Sequence, residues 1–136
     1  MNFLVDTNVV SELRKADRCD AKVRAWFEAV AEDAIYLSVL TVGELRRGVE
    51  LIRRRDHRSA QALDVWIAQI VSAHGFRLLP VDDAVADVWG RMNVPDPLPV
   101  VDGLLAATAV VHGLTLATRN LRDVERTGVA CLNPFA

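Results

Sequence analysis

The chain has 136 residues, 51% of them hydrophobic, which bounds it to one domain spanning 1–136 with ample apolar material for an interior and excludes a disordered polar tract. Its formal net charge of −2 excludes a protein that holds nucleic acid through a bulk positive field. The two cysteines, Cys19 and Cys131, lie far apart in no C-x-x-C pattern, so neither a disulfide framework nor a zinc site is suggested and reduced cytoplasmic thiols are expected.

No apolar run approaches the roughly 18 to 20 residues that cross a bilayer. The acid at position 6 comes too early for a signal peptide's apolar region, so a soluble, unexported protein with no membrane contact is expected. In chain order, Asn2 to Asp6 reads as a short buried strand ending at a carboxylate, followed by cap and turn residues and a short helix through Leu13. Asp20 opens a second helix with Val23, Trp26, Phe27 and Val30 on one face. Residues 35–37 form the next strand. A helix over Thr41 to about Arg55 carries Val42, Leu45, Val49 and Ile52 at helical spacing, and another runs from about Ser59 to His74.

The third strand is read over Phe76 to Val81, and Asp82 opens a helix to about Met92. Three prolines between Pro95 and Pro99 enforce a loop. Helix resumes near Val101 and stops at Gly113. Leu114 to Thr118 is a fourth strand and Val129 to Leu132 a fifth. Strands alternating with helices predict a three-layer α/β domain with a largely parallel central sheet.

In such sheets function gathers outside the carboxyl ends of the strands, where strand order reverses. Asp6 ends the first strand and Thr118-Arg-Asn120 ends the fourth, so adjacent strands here place both at one crevice. Phosphodiester hydrolysis needs a divalent ion to activate water, and magnesium prefers hard carboxylate oxygens. Each candidate acid also has a plain structural reading. Asp6 can be a helix N-cap, Glu44 can close a capping box with Thr41, and Asp102 can be a first-turn acid facing the helix dipole.

Four segments in order break the tie: Leu-Val-Asp6-Thr-Asn8-Val-Val-Ser-Glu, Leu-Ser-Val-Leu-Thr-Val-Gly-Glu44-Leu-Arg-Arg-Gly, Val-Asp102-Gly-Leu-Leu-Ala-Ala-Thr-Ala and Leu-Ala-Thr118-Arg-Asn120-Leu-Arg-Asp123. Together they resemble the PIN domain and, within it, the VapC toxins of bacterial toxin–antitoxin pairs; the closing Val-Ala-Cys-Leu-Asn-Pro-Phe is similar to the FitB-like branch. The resemblance implies a magnesium-dependent endoribonuclease acting on RNA (manganese being an alternative ion), a cognate VapB-type antitoxin and a homodimer. Position by position it implies Asp6 and Asp102 as metal ligands and Glu44 as the third acid, with Thr7, Asn8 and Thr118 as polar residues around the pocket. At position 120, where many relatives carry Asp, this chain has Asn120. Asp123, three residues on, is expected to turn inward on a helical turn beginning at Thr118 and restore the charge.

Fourteen of the sixteen cations are arginine, six of them between Arg46 and Arg58. The interleaved Glu44, Glu50 and Asp56 favour a solvated helix face, though Arg46 and Arg47 stand as candidates to grip phosphates beside the metal. His57, His74 and His112 have no mutual metal-ligand spacing. The competing readings are a metal-dependent DNA nuclease, a non-catalytic PIN-like interaction module, and a haloacid-dehalogenase-type phosphatase. The last would need Asp where Asn8 stands.

Overall fold

The computed structural model describes residues 1–136. Five short strands, β1 (Phe3–Val5), β2 (Ile35–Ser38), β3 (Leu78–Leu79), β4 (Thr115–Ala117) and β5 (Cys131–Leu132), form one sheet in the order β3-β2-β1-β4-β5. Every neighbouring pair is parallel. Alternate residues of the strands enter opposite cores, because side chains on a strand point to opposite faces. Phe3, Val5, Ile35, Leu37 and Ala117 join one core; Leu4 and Leu116 join the other. The three layers follow from that double burial.

The first face is covered by α1 (Thr7–Leu13), α2 (Ala21–Ala29), α3 (Val39–Arg53) and α4 (His57–His74). Val9, Val10, Val23, Leu45, Val49, Ala60 and Ile67 fill it. Trp26 half-buries its ring edge-to-face on Phe3, with centroids 5.2 Å apart. The second face carries α5 (Asp83–Met92), α6 (Val100–His112) and α7 (Leu121–Val124), with Leu105, Ala106, Ala109 and Val124 against the sheet. Each fully buried Leu or Val contributes about 1.5–3 kcal/mol, which is what holds strands of two to four residues in place.

Helix starts follow local capping. Asp20 accepts from the amides of Lys22 and Val23, Asp56 from Ser59, and Asp82 from Val85. Gly113 ends α6 in the left-handed region at φ 65°, which glycine adopts without strain. Several boundaries differ from expectation, β5 for one being confined to Cys131–Leu132 within the expected Val129 to Leu132, and three have a clear local cause. Helix α3 begins at Val39 rather than Thr41, because the Ser38 hydroxyl accepts from the Leu40 amide and caps it two residues earlier. Helix α4 begins at His57 rather than Ser59, for the Asp56 cap just named. The strand expected over Phe76 to Val81 contracts to Leu78–Leu79: residues Gly75–Arg77 form a 3-10 turn whose Arg77 guanidinium is tied to the carbonyls of Glu32, Ile35 and Ala73.

Candidate active site

Strand order reverses between β1 and β4, and the site stands over their carboxyl ends. The Asp6 amide continues the ladder by donating to the Ala117 carbonyl at 2.9 Å, so the residue is fixed as the strand ends. Its side chain is buried. Oδ1 accepts from the Thr7 amide at 2.7 Å; Oδ2 accepts from the Thr118 hydroxyl at 2.7 Å and from the Asn8 amide at 3.3 Å. Asp6 therefore caps α1 and faces the crevice at once. Burial pushes its carboxyl above the ordinary range, the Thr118 and Thr7 bonds oppose that rise, and the charge of Glu44 adds to it.

Glu44 does not close a capping box. Thr41 is buried in the first turn of α3 with its hydroxyl unpartnered, and Ser38 supplies the cap. The Glu44 carboxylate instead accepts from the Thr7 hydroxyl at 2.5 Å, which fastens α3 to the start of α1 beside Asp6. Asp102 is the third residue of α6. Its backbone position is set by Gly103, where an added Cβ would stand 3.2 Å from Leu98 and from the Trp89 ring. Burial first, and then the charges of Asp6, Asp123 and Glu44, push the Asp102 carboxyl up to about 6.

Asp123 lies on α7, one short helix beyond β4, and its carboxyl stands near enough to Asp102 to help raise it. The inward expectation for Asp123 thus agrees with the geometry, but the helix begins at Leu121 rather than Thr118, with Asn120 at its cap. Thr118 is fully buried and serves as a hinge pin: its hydroxyl donates to Asp6 and accepts from the Asn120 amide at 3.0 Å. Asn8 bridges the two strand ends, donating to Asp6 and accepting from the Arg119 amide at 3.2 Å.

Thus Asp6, Thr7, Asn8, Glu44, Asp102, Thr118, Asn120 and Asp123 come together. Arg46 does not. Its guanidinium donates to Asp64 at 2.5 Å and to Glu50 at 3.3 Å, which directs it toward α4. Position 46 is two residues beyond Glu44, about 200° around the helix, so a shared face was geometrically unavailable. The three histidines stay out of the cluster; His74 bonds the Ile70 carbonyl at a helix end. Two residues went unnoticed in the sequence. Arg119 sits between two motif positions, and Glu12 is a buried acid on the face of α1 that also carries Val9. An acid inside an apolar helical stripe was the only signal for the second.

No cationic side chain pairs with any of the four carboxylates; the ion pairs of the molecule lie elsewhere. Such mutual repulsion is relieved by a cation, and an all-oxygen donor set suits a hard divalent one. The carboxylates do not close into a preformed cage of three or more ligands. A hard divalent ion held there would draw on one or two of these carboxylates and complete its shell with other oxygens.

Comparison with known proteins agrees with this architecture. The PIN domain family model matches residues 3–129. The chain is 36% identical to VapC ribonuclease Y4jK of Sinorhizobium fredii, over 98% of this chain and 97% of that one. It is 32% identical to Toxin FitB of Neisseria gonorrhoeae, over 98% of both. The crystal structure of FitAcB from Neisseria gonorrhoeae superposes with a TM-score of 0.89 at 33% identity, covering 98% of each chain.

Proposed function

Because this chain belongs to the PIN domain family, we propose that it is a divalent-cation-dependent endoribonuclease, the toxin of a toxin–antitoxin pair. The observation that carries the reading is the convergence of Asp6, Glu44, Asp102 and Asp123 on one strand-end crevice with no cationic side chain among them. Two full-length relatives bear the names VapC ribonuclease and Toxin FitB.

In this reading Asp6 and Asp102 hold magnesium, with manganese an alternative of the same oxygen preference. When bound, a divalent ion supplies an activated water and neutralises charge building on the leaving oxygen. The chain's own residues do the positioning. Thr118 and the Thr7 amide fix both oxygens of Asp6, and the Thr7 hydroxyl fixes Glu44. Asp102, its carboxyl raised by burial and by the acids around it, would gain from a cation bound there. Asn8 and Asn120 border the crevice with neutral amides that suit a sugar or base edge. With so little positive field, the substrate is a single-stranded segment or loop read by shape rather than by charge.

The regulatory partner is a VapB-type antitoxin. An apolar cleft of about 230 Å³ between the sheet and α1, α2 and α4 suits an amphipathic segment of it. Phe27, exposed on α2, lines that cleft. The functional unit in this reading is a homodimer.

Matched RNA and DNA hairpins incubated with the purified protein test the assignment. Cleavage of RNA that stops with EDTA and with Asp6→Asn supports it. Faster cleavage of the DNA favours a DNA nuclease, and no cleavage of either favours a non-catalytic interaction module.

A further inference from the structure

We propose that Arg119 grips a backbone phosphate of the single-stranded RNA beside the acid cluster, and that the ring of Phe135 holds it ready for that contact. The proposal rests on the ribonuclease reading above and adds a substrate-binding residue to it.

Arg119 directly follows Thr118, whose hydroxyl holds Asp6. Its backbone amide donates to Asn8 Oδ1 at 3.2 Å, and the Asn8 amide in turn donates to Asp6 Oδ2. Two independent routes therefore fix the Arg119 backbone against the Asp6 carboxylate. Its side chain is exposed and forms neither an ion pair nor a side-chain hydrogen bond. Instead the guanidinium carbon lies 3.8 Å from the centroid of the Phe135 ring. That ring is half-buried and packs against the core on the α1–α4 face of the sheet, which gives the guanidinium a platform.

An arginine whose backbone is fixed beside Asp6 can reach back toward the carboxylates. Stacking on Phe135 opposes that collapse and leaves the acids uncompensated for a cation. Stacking uses the face of the guanidinium and leaves its five N–H donors in the plane unpartnered. A planar fork with free donors matches a phosphate bidentately. Several other arginines are already engaged, and Arg47, exposed on α3, has no aromatic platform to hold it. Arg46 and Arg53 are bound to Asp64 and Glu50, while Arg77 and Arg126 donate to backbone carbonyls.

The test measures binding of a fluorescein-labelled single-stranded RNA oligonucleotide by anisotropy across a salt series in EDTA, and cleavage kinetics in magnesium. Arg119→Ala is expected to weaken binding roughly tenfold, as for loss of a charged hydrogen bond. It should also reduce the slope of log affinity against log salt by about 0.7, one phosphate contact on a single strand. KM should rise by a similar factor with kcat within about twofold. Arg119→Lys should restore the salt slope but only part of the affinity, and Phe135→Leu should weaken binding while leaving the slope intact. Thermal melting checks that each variant folds; if Arg119→Ala does not, the Lys and Leu variants decide. An unchanged KM and salt slope in a folded Arg119→Ala overturns the proposal while leaving the ribonuclease reading standing. A wild-type protein that binds the oligonucleotide with the expected salt slope but cuts no RNA overturns the ribonuclease reading instead.

Discussion

Thr118 donates its hydroxyl to Asp6 across 2.7 Å, joining residues 112 positions apart in the chain. The bond is buried, and the same oxygen also accepts the Asn120 amide. Thr118→Val keeps the shape and removes both. The expected outcome is a loss of about 1.5–3 kcal/mol at neutral pH, the range for a hydrogen bond to a charged group. Melting in EDTA measures it, and Thr118→Ser should recover most of the loss.

Asp102 makes the metal-free protein pH-sensitive. A carboxyl whose folded value is raised is disfavoured when ionised, so the folded state binds more protons than the unfolded one between the ordinary value near 4 and about 6. Stability attributable to this group falls as pH rises through that window, and the penalty is complete above it. Asp102→Asn cannot ionise. The variant should therefore melt higher than wild type at pH 7.5 in EDTA, with the gap closing between about pH 6 and about pH 4. Adding magnesium should stabilise wild type more than the variant. A gap independent of pH contradicts the assignment.

Two glycines should answer alanine in opposite directions. Gly90, on α5, has nothing within 4 Å of an added Cβ, so Gly90→Ala should stabilise by up to about 1 kcal/mol through helix propensity. Gly103 gains the same propensity but its Cβ meets Leu98 and Trp89 at 3.2 Å. Overpacking typically costs about 1–3 kcal/mol, and both neighbours are wedged between α5 and α6. Gly103→Ala should melt below wild type and bind metal more weakly, since it displaces Asp102. Denaturant midpoints of the two variants compare them directly.

Glu12 ties α1 to α2. Its carboxylate accepts from the Asp20 amide at 2.8 Å and from the Lys15 ammonium at 3.0 Å. Those bonds, the Asp20 amide first, hold its carboxyl below the usual glutamate range. A depressed carboxyl stabilises the fold above its unfolded value of about 4.3, and that stabilisation is lost as pH falls through the lower folded value. Glu12→Gln should lower the melting temperature at pH 7 and approach wild type in acid below about pH 4. A constant difference over the whole range refutes the linkage.

Much of this arrangement was legible in the sequence, for identifiable reasons. Asp6 and Gly113 mark their helix ends through their own chemistry, a side-chain acceptor and a left-handed backbone, and neither depends on distant contacts. The Thr41–Glu44 spelling left a capping box open because such boxes are local, whereas the residue that bonds Glu44 is Thr7, 37 positions away. Arg46 misled for the same reason: its partner Asp64 belongs to the next helix. The stack of Arg119 on Phe135 joins a strand end to the tail after β5, and no spacing rule relates them. Side-chain partners across elements were thus the part that pattern alone left open.

The position of β1 between β2 and β4 has a consequence for biosynthesis. As the chain emerges from the ribosome, β2 arrives soon after β1, but the other edge of β1 stays unpaired until residues 115–117 appear. Thr118 and Asp123 come more than a hundred residues after Asp6. Contacts of such long sequence separation also form late in folding. The crevice is therefore absent from a nascent chain and forms only once β4 and α7 have emerged and the fold is nearly closed.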